Sequence, residues 1–83
     1  MPRIIDREYC NLVGRQVRYF RKKRKLSQKQ LSEKLETMAI YICRGSISRI
    51  EDGSRTVTDI ELYGLATILE TSIESLFPEN MTK

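Results

Sequence analysis

The sequence contains no histidine and only two cysteines among its 83 residues. Histidine is the usual side chain for acid–base catalysis near neutral pH and the commonest metal ligand, so its absence excludes most sites of both kinds. Cys10 and Cys43 lie far apart in the chain, and two thiolates alone do not complete a zinc site. The sequence also lacks a glycine-rich phosphate-binding loop. We therefore expect a protein that is not an enzyme and that needs no cofactor.

Long apolar segments are missing as well. No run approaches the roughly 20 apolar residues that a membrane-spanning helix requires, and residues 1–6 lack the apolar core of an export signal. These absences predict a cytoplasmic protein with no membrane partner, in which both cysteines stay reduced. Two alternatives remain for the thiols: a single Cys10–Cys43 disulfide, or a redox-sensitive Cys43 whose thiolate is stabilised by the neighbouring Arg44.

Basic and acidic residues are concentrated at opposite ends of the sequence. Residues 1–30 contain ten lysines and arginines against Asp6 and Glu8, whereas residues 56–83 contain five acidic residues against Lys83. A chain of this length is expected to form one domain, and one side of that domain should carry a positive field that attracts a polyanion. A run of basic residues is also typical of a solvated helix face, so charge alone does not identify the partner.

Apolar periodicity predicts five helices and gives almost no support for strands. The helices are expected at about residues 6–24, 28–37, 44–52, 59–70 and 73–77, followed by a frayed tail at 79–83. Four of them begin at residues suited to capping the first turn, which are Asp6, Ser27 with Gln30, Thr58 with Glu61, and Ser72.

The predicted helices direct their apolar faces at a shared core. In the first helix, one face holds Tyr9, Val13, Val17 and Phe20, and another holds Arg15, Arg18, Lys22 and Lys25. The core residues expected from the remaining helices are Leu31, Leu35, Ile47, Ile50, Ile60, Leu62, Leu65, Ala66, Leu69, Ile73, Leu76 and Phe77. This pattern predicts an all-α domain.

The second and third helices form the most informative part of the sequence. Ile47 and Ile50 lie on one side of the third helix and Ser48 and Arg49 on the other, and Gly53 suits the left-handed residue that ends a helix. Two short, capped, closely joined helices, the second polar on its outer face, are the arrangement that places a helix in a DNA groove.

Five segments, taken in order, resemble the helix-turn-helix domain of the phage-repressor/Cro (XRE) family over about residues 10–77. They are Val13-Gly14-x-x-Val17-Arg18-x-Phe20-Arg21, Leu26-Ser27-Gln28-x-x-Leu31-x-x-x-Leu35, Ile47-Ser48-Arg49-Ile50-Glu51-Asp52-Gly53-x-Arg55, Ile60-x-Leu62-x-x-Leu65-Ala66-x-x-Leu69 and Ser72-Ile73-x-x-Leu76-Phe77. The resemblance implies a compact five-helix domain of the lambda-repressor-like DNA-binding type over residues 1–78. It also implies an ion pair between Arg21 and Glu51 that joins the first helix to the third.

The third helix is the element expected to read DNA. The residues predicted to face base edges in the major groove are Arg44, Gly45, Ser46, Ser48 and Arg49. An arginine at such a position can donate two hydrogen bonds to guanine O6 and N7. The alternative for Arg49 is a surface ion pair with Asp52, and Gly45 is equally compatible with close approach to DNA and with an imperfect helix start.

Phosphate contacts are expected from residues at the start of the second helix and after the third, namely Gln28, Lys29, Ser54 and Arg55. For Gln28, the resemblance implies a phosphate-facing role, which also suits the amide dipoles at a helix start. The alternative for Gln28 is a hydrogen bond within its own helix start.

The sequence departs from the family pattern at two helix ends. Glu36 stands where the family usually has glycine, and about five extra residues follow before the third helix. We expect Ile40 and Ile42 to tuck under the recognition helix with Tyr41 outward, or else the second helix to gain one turn. Lys25 also replaces a frequent glycine, which requires either a strained left-handed lysine or a different turn.

These observations predict a sequence-specific, double-stranded DNA-binding transcriptional regulator of the repressor type. One domain presents one recognition helix, so a homodimer on two half-sites is expected. The alternative is an antitoxin or accessory regulator that acts mainly by binding a partner protein, for which the four tyrosines and the extended turn offer a surface.

Overall fold

The computed structural model describes residues 9–78, which form four α-helices and a final 3-10 turn. The helices are α1 (Gly14–Lys23), α2 (Gln28–Glu36), α3 (Arg44–Glu51) and α4 (Asp59–Ile68), and the 3-10 turn covers Glu74–Leu76. No strand occurs in this range. Helix α3 packs against both α1 and α2, α4 packs on α2, and the 3-10 turn packs on α1. The all-α prediction is confirmed, but the fifth helix is reduced to a single 3-10 turn.

The first helix is shorter at its start than the sequence predicts, because a side chain diverts the chain from the helical path. The Asn11 Oδ1 accepts hydrogen bonds from the backbone N–H groups of Val13 and Gly14 at 3.1 and 2.8 Å. Its Nδ2 donates to the carbonyls of Ile50 and Arg55 at 3.1 and 2.7 Å. Asn11 therefore ties the segment before α1 to the end of α3 and the loop that follows.

Tyr9 consequently does not continue the apolar face of α1. Its ring lies against Gly53, where a β-carbon would overlap it, and the side chain is 43% exposed. The backbone N–H of Cys10 donates to the carbonyl of Gly53 at 2.7 Å, which holds the segment in place. The predicted cap at Asp6 and the predicted frayed tail lie outside the described residues.

The two capping boxes expected from the sequence are both present. The Ser27 hydroxyl accepts from the Gln30 N–H at 3.0 Å, and the Gln30 side-chain oxygen accepts from the Ser27 N–H at 2.8 Å. Thr58 and Glu61 make the same reciprocal pair at the start of α4. Each box satisfies two backbone donors that the first turn of a helix leaves without a partner.

All four α-helices end in a Schellman arrangement, with a left-handed residue that closes the last turn. At each end, the N–H of the left-handed residue donates to the carbonyl three residues earlier, and the N–H of the next residue donates to the carbonyl five residues earlier. The four pairs of donors are Lys25 and Leu26, Ala39 and Ile40, Gly53 and Ser54, and Glu70 and Thr71. Only one of the four left-handed residues is a glycine, Gly53, with φ of 85°. The others are Lys25, Ala39 and Glu70, with φ of 59°, 60° and 55°.

The extended turn after α2 combines the two alternatives that the sequence left open. Hydrogen bonds to carbonyls three residues earlier extend the helix by one tight turn, with the N–H groups of Thr37, Met38 and Ala39 as donors. The left-handed residue that ends the helix is therefore Ala39 and not Glu36. Ile40 and Ile42 then turn inward, 8% and 3% exposed, while Tyr41 is 76% exposed. Ile40 lies against Gly64 of α4, where a β-carbon would overlap its Cδ1.

The core lies between α1, α2, α3 and α4, with Leu76 closing one end. Its buried members are Val13, Val17, Leu31, Leu35, Ile40, Ile42, Ile47, Ile50, Leu65, Ala66, Leu69 and Leu76, and Phe20, Leu62 and Phe77 are half-buried against it. Ile60 was predicted in this core but is 66% exposed, because it lies about 140° around α4 from Leu65. Ile73 was also predicted inside and is exposed, since it precedes a 3-10 turn too short to bury three apolar residues.

Candidate nucleic-acid interface

Helix α3 has one fully buried face and one polar face open to solvent. Ile47 and Ile50 are fully buried, and their packing fixes the rotation of the helix about its axis. The residues predicted to read bases lie on the other side: Arg44, Gly45, Ser48 and Arg49 are exposed and Ser46 is half-buried. Gly45 has no heavy atom within 4 Å of its β-carbon position, so it leaves open space at the start of the helix.

A buried ion pair fixes α3 to α1 and to the start of α2. The Arg21 guanidinium donates to both carboxylate oxygens of Glu51, with Nε–Oε2 at 2.6 Å and Nη2–Oε1 at 3.0 Å. Its Nη1 donates to the Leu26 carbonyl at 2.7 Å. The two charged side chains are only 9% and 5% exposed, so the pair is shielded from water. This is the Arg21–Glu51 contact implied by the family resemblance.

Gln28 extends this network at the first residue of α2. Its side-chain N–H donates to Glu51 Oε1 at 3.2 Å, and the residue is half-buried. The Gln28 side chain therefore bonds to a residue of α3, and not to the start of its own helix as the alternative predicted. Lys29, the next residue, is exposed and has no carboxylate within 4.0 Å among residues 9–78. The start of α2 is thus held at a fixed position beside the end of α3.

The Ser46 hydroxyl accepts hydrogen bonds from two other side chains, Cys43 and Arg49. The Cys43 thiol, at the N-cap position, donates to the Ser46 hydroxyl at 3.4 Å, and Arg49 Nη2 donates to the same oxygen at 3.3 Å. The pKa of the Cys43 thiol is lowered, because the Ser46 side chain and, to a smaller extent, the Ser46 backbone N–H can donate to the sulfur once it is ionised. Both cysteines are exposed and free, so the disulfide alternative is wrong for this structure.

The Asp52 side chain bonds to Ser54 in the loop after α3 and makes no ion pair with Arg49. Its Oδ1 accepts from the Ser54 hydroxyl at 2.6 Å and from the Ser54 N–H at 2.9 Å. These two bonds, in that order, are the main reason that the pKa of the Asp52 carboxyl is lowered, and the positive charge of Arg49 adds a smaller effect. Arg49 therefore remains available on the outer face of α3, while both donors of Ser54 are engaged by Asp52.

Arg55, predicted as a phosphate contact, is engaged by a carboxylate in this structure. Its two terminal nitrogens donate to the two oxygens of Glu61, each at 3.0 Å, and Nη1 also donates to the Thr56 carbonyl at 2.9 Å. The hydrogen bond from Arg55 is the leading cause of the lowered pKa of Glu61, and the same bond raises the pKa of Arg55. The Glu61 carboxylate thus caps α4 and neutralises Arg55 at once.

The fold divides its basic residues into two groups. Within residues 9–78, ion pairs with carboxylates are made by Arg21, Arg24 and Arg55, of which Arg24 pairs with Glu70 at 3.2 Å. No carboxylate of residues 9–78 lies within 4.0 Å of the other basic residues in that range, among them Arg15, Arg18, Lys22, Lys25, Lys29, Arg44 and Arg49. Sequence reasoning missed this division and the role of Asn11, because both depend on which loops meet in the folded chain.

The described residues contain neither a cluster of metal-ligating side chains nor a membrane-spanning helix. No group of three or more cysteine, aspartate or glutamate side chains is placed to hold a metal ion in the described part of the chain. None of the helices in residues 9–78 combines the length and the apolar character needed to cross a bilayer.

Comparison with known proteins gives a family and two similar structures. The model of a helix-turn-helix family matches residues 17–76. The restriction-modification controller protein C.AhdI from Aeromonas hydrophila is 30% identical, with a TM-score of 0.70 over 83% of this chain and all of that one. The DNA-binding domain of BldD shares the fold, with a TM-score of 0.70 over 89% of this chain and all of the other, at 24% identity. No curated protein sequence matches the chain. The chain belongs to the XRE-type helix-turn-helix family.

Proposed function

We propose that this protein is a transcriptional repressor that binds double-stranded DNA in a sequence-specific manner and reads the major groove with α3. The observation that carries the proposal is the orientation of α3, whose isoleucines are fully buried and whose arginines and serines face outward. Membership of the helix-turn-helix family and the likeness to a controller protein support the same function.

The proposed reading residues are Arg44 and Arg49, with Gly45, Ser46 and Ser48 between them. Neither arginine has a carboxylate partner among residues 9–78, so neither must break an ion pair to meet a base. The bond from Arg49 to Ser46 restricts the guanidinium before DNA arrives, which reduces the entropy lost on binding. Ser48 supplies a short hydroxyl on the same exposed side.

The proposed phosphate contacts centre on the start of α2. Lys29 is exposed and has no carboxylate partner among residues 9–78, and Gln28 is held there by Glu51. Arg55 and Ser54 remain weaker candidates, because each would have to exchange a partner within the protein, Glu61 or Asp52, for a phosphate.

A selection of bound sites from a random DNA pool tests the function directly. We expect an enriched site with two inverted half-sites centred about one helical turn apart, as a two-fold homodimer with one recognition helix per subunit requires. A pool that yields no enriched sequence, from protein with native circular dichroism, would contradict the proposal.

A second function is supported by a separate observation. Four large aromatic or aliphatic side chains are more than half exposed: Tyr19, Tyr41, Ile60 and Tyr63. Contiguous exposed apolar patches mark protein-binding surfaces, whereas single exposed residues do not. Ile60 and Tyr63 are three residues apart on α4 and therefore lie on one side of that helix. An antitoxin or accessory regulator that holds a partner protein would use them, and it would show neither an enriched DNA site nor a steep salt dependence of DNA binding.

Replacement of Arg49 by alanine separates base reading from general attraction. If Arg49 contacts a guanine, the variant should lose about 1–3 kcal/mol on the selected site and relax its preference at one base per half-site. Lys29→Ala serves as the control, since loss of a phosphate contact weakens all sequences about equally. The measurement is competition binding with single-base variants of the site. Equal losses for Arg49→Ala on selected and random DNA would show that Arg49 only positions the helix, and Arg44 would then be the better candidate.

A further inference from the structure

We infer that α1 carries a second DNA-contacting surface, the basic stripe, which binds backbone phosphates flanking the base pairs that α3 reads. The stripe consists of Arg15, Arg18 and Lys22 on one side of α1, with Lys25 just beyond its end. The inference rests on the proposed DNA-binding function and adds to it a set of contacts outside the helix-turn-helix unit.

The helical geometry of α1 places these side chains together. Arg15, Arg18 and Lys22 follow one another at spacings of three and four residues, so they lie on one side of the helix. All three are exposed, as is Lys25. None has a carboxylate within 4.0 Å, or a side-chain hydrogen bond, among residues 9–78. Four positive charges are therefore displayed without a carboxylate partner in the described part of the chain.

The contrast with Arg24 shows that the fold could have neutralised this surface. Arg24 lies on the same helix but pairs with Glu70 and donates to the Leu69 carbonyl at 3.1 Å. Lys23, on the side away from the stripe, lies 5.9 Å from the ring centres of Tyr19 and Phe20. Within residues 9–78, the basic residues of the stripe have neither a carboxylate within 4.0 Å nor an aromatic ring as a partner. They repel one another, which is unfavourable without an external anion.

The stripe is adjacent to the end of α3. The backbone of α1 approaches α3 so closely at Gly14 that a β-carbon there would overlap the Ile50 carbonyl oxygen. Arg15 and Arg18 line the same open cleft as Asp52 and Gly53, the two residues directly after α3. A DNA backbone that leaves the groove occupied by α3 at this end thus passes toward α1.

The dimensions of the stripe suit a polyanion better than a single small anion. Arg15 and Lys22 are separated by about 10 Å along the helix axis, from a rise of about 1.5 Å per residue. One DNA strand carries a phosphate for about every 3.4 Å of duplex axis, so a stripe of this length can contact more than one phosphate. Such contacts would add affinity without sequence preference.

The test compares two duplexes that contain the same selected site, one ending at the half-sites and one extended by about 10 base pairs on each side. The variant is Arg18→Gln with Lys22→Gln, and the matched control is Lys23→Gln with Lys34→Gln, which removes the same charge from exposed positions on α1 and α2 outside the stripe. We expect the wild type and the control to bind the long duplex more tightly than the short one. The stripe variant keeps Arg15 and Lys25, so it should lose about half of that difference in binding free energy while binding the short duplex as the wild type does.

Salt dependence provides a second readout. The loss of two phosphate contacts in one subunit reduces the slope of log affinity against log salt by about 1.8. For each subunit, a fourfold rise in salt concentration should therefore weaken wild-type binding to the long duplex about tenfold more than it weakens binding of the variant. If the stripe variant and the control behave alike on both duplexes, the stripe does not touch DNA and the inference is wrong. That result leaves the proposed function intact, whereas failure of every form to bind the selected site overturns the function itself.

Discussion

Replacement of Arg21 by methionine should destabilise the domain by about 3–5 kcal/mol, because it leaves the Glu51 carboxylate buried without a cation. Of its side-chain hydrogen bonds within residues 9–78, Glu51 would keep the one from Gln28, and the Leu26 carbonyl would lose the donor Arg21 Nη1. The measurement is equilibrium unfolding by urea. A domain of this size has only about 5–15 kcal/mol of stability, so the variant should be close to unfolding at ambient temperature.

Two further variants show whether burial of the charge is the cause. Arg24→Met removes an ion pair from the same helix, but that pair is 42% and 67% exposed and should be worth about 1 kcal/mol or less. The double variant Arg21→Met with Glu51→Leu removes both buried charges and should recover most of the lost stability. Similar losses for Arg21→Met and Arg24→Met would contradict the role assigned to the buried pair.

Leu65→Ala is expected to reduce the unfolding free energy by about 2–5 kcal/mol. Leu65 is fully buried on the inner face of α4, and its removal would leave a cavity that the surrounding helices fill only in part. The urea midpoint should fall while the dependence of the free energy on urea stays unchanged, as expected when the native fold is retained.

Ile60→Ala is the matched control for this experiment, because it truncates an aliphatic side chain on the same helix. The Ile60 side chain is 66% exposed, so its loss should change stability by no more than about 0.5 kcal/mol. A larger loss for Ile60→Ala than for Leu65→Ala would mean that α4 is rotated relative to the arrangement described above.

The contrast between these two residues illustrates what the sequence could and could not predict. The capping boxes of α2 and α4 were predicted correctly because every partner lies within three residues. The inward side of α3 was also predicted, since Ile47 and Ile50 leave only one apolar face. Helix α4 is apolar on several sides, so its periodicity could not distinguish the buried Leu65 from the exposed Ile60.

Long-range polar contacts account for most of the other differences. The start of α1 was placed too early because Asn11, which is 39 residues from Ile50 in sequence, binds that carbonyl and not a helical neighbour. The engagement of Arg55 by Glu61 depends on a loop path that no local pattern specifies. The candidate base-reading residues could be predicted from the exposed face of α3 alone. Which basic residues lack a carboxylate partner could be determined only from the folded structure.

The non-glycine residues that end three of the helices give the protein room for sequence change. An L-residue in the left-handed region is less favourable than glycine by about 1–2 kcal/mol, which is partly offset by the greater freedom of glycine in the unfolded chain. Ala39 is exposed and uncharged, so a glycine there would cost no contact of the core or of the basic surfaces. Replacement of Ala39 by glycine would therefore stabilise the domain, and a more stable domain tolerates destabilising substitutions on the outer face of α3.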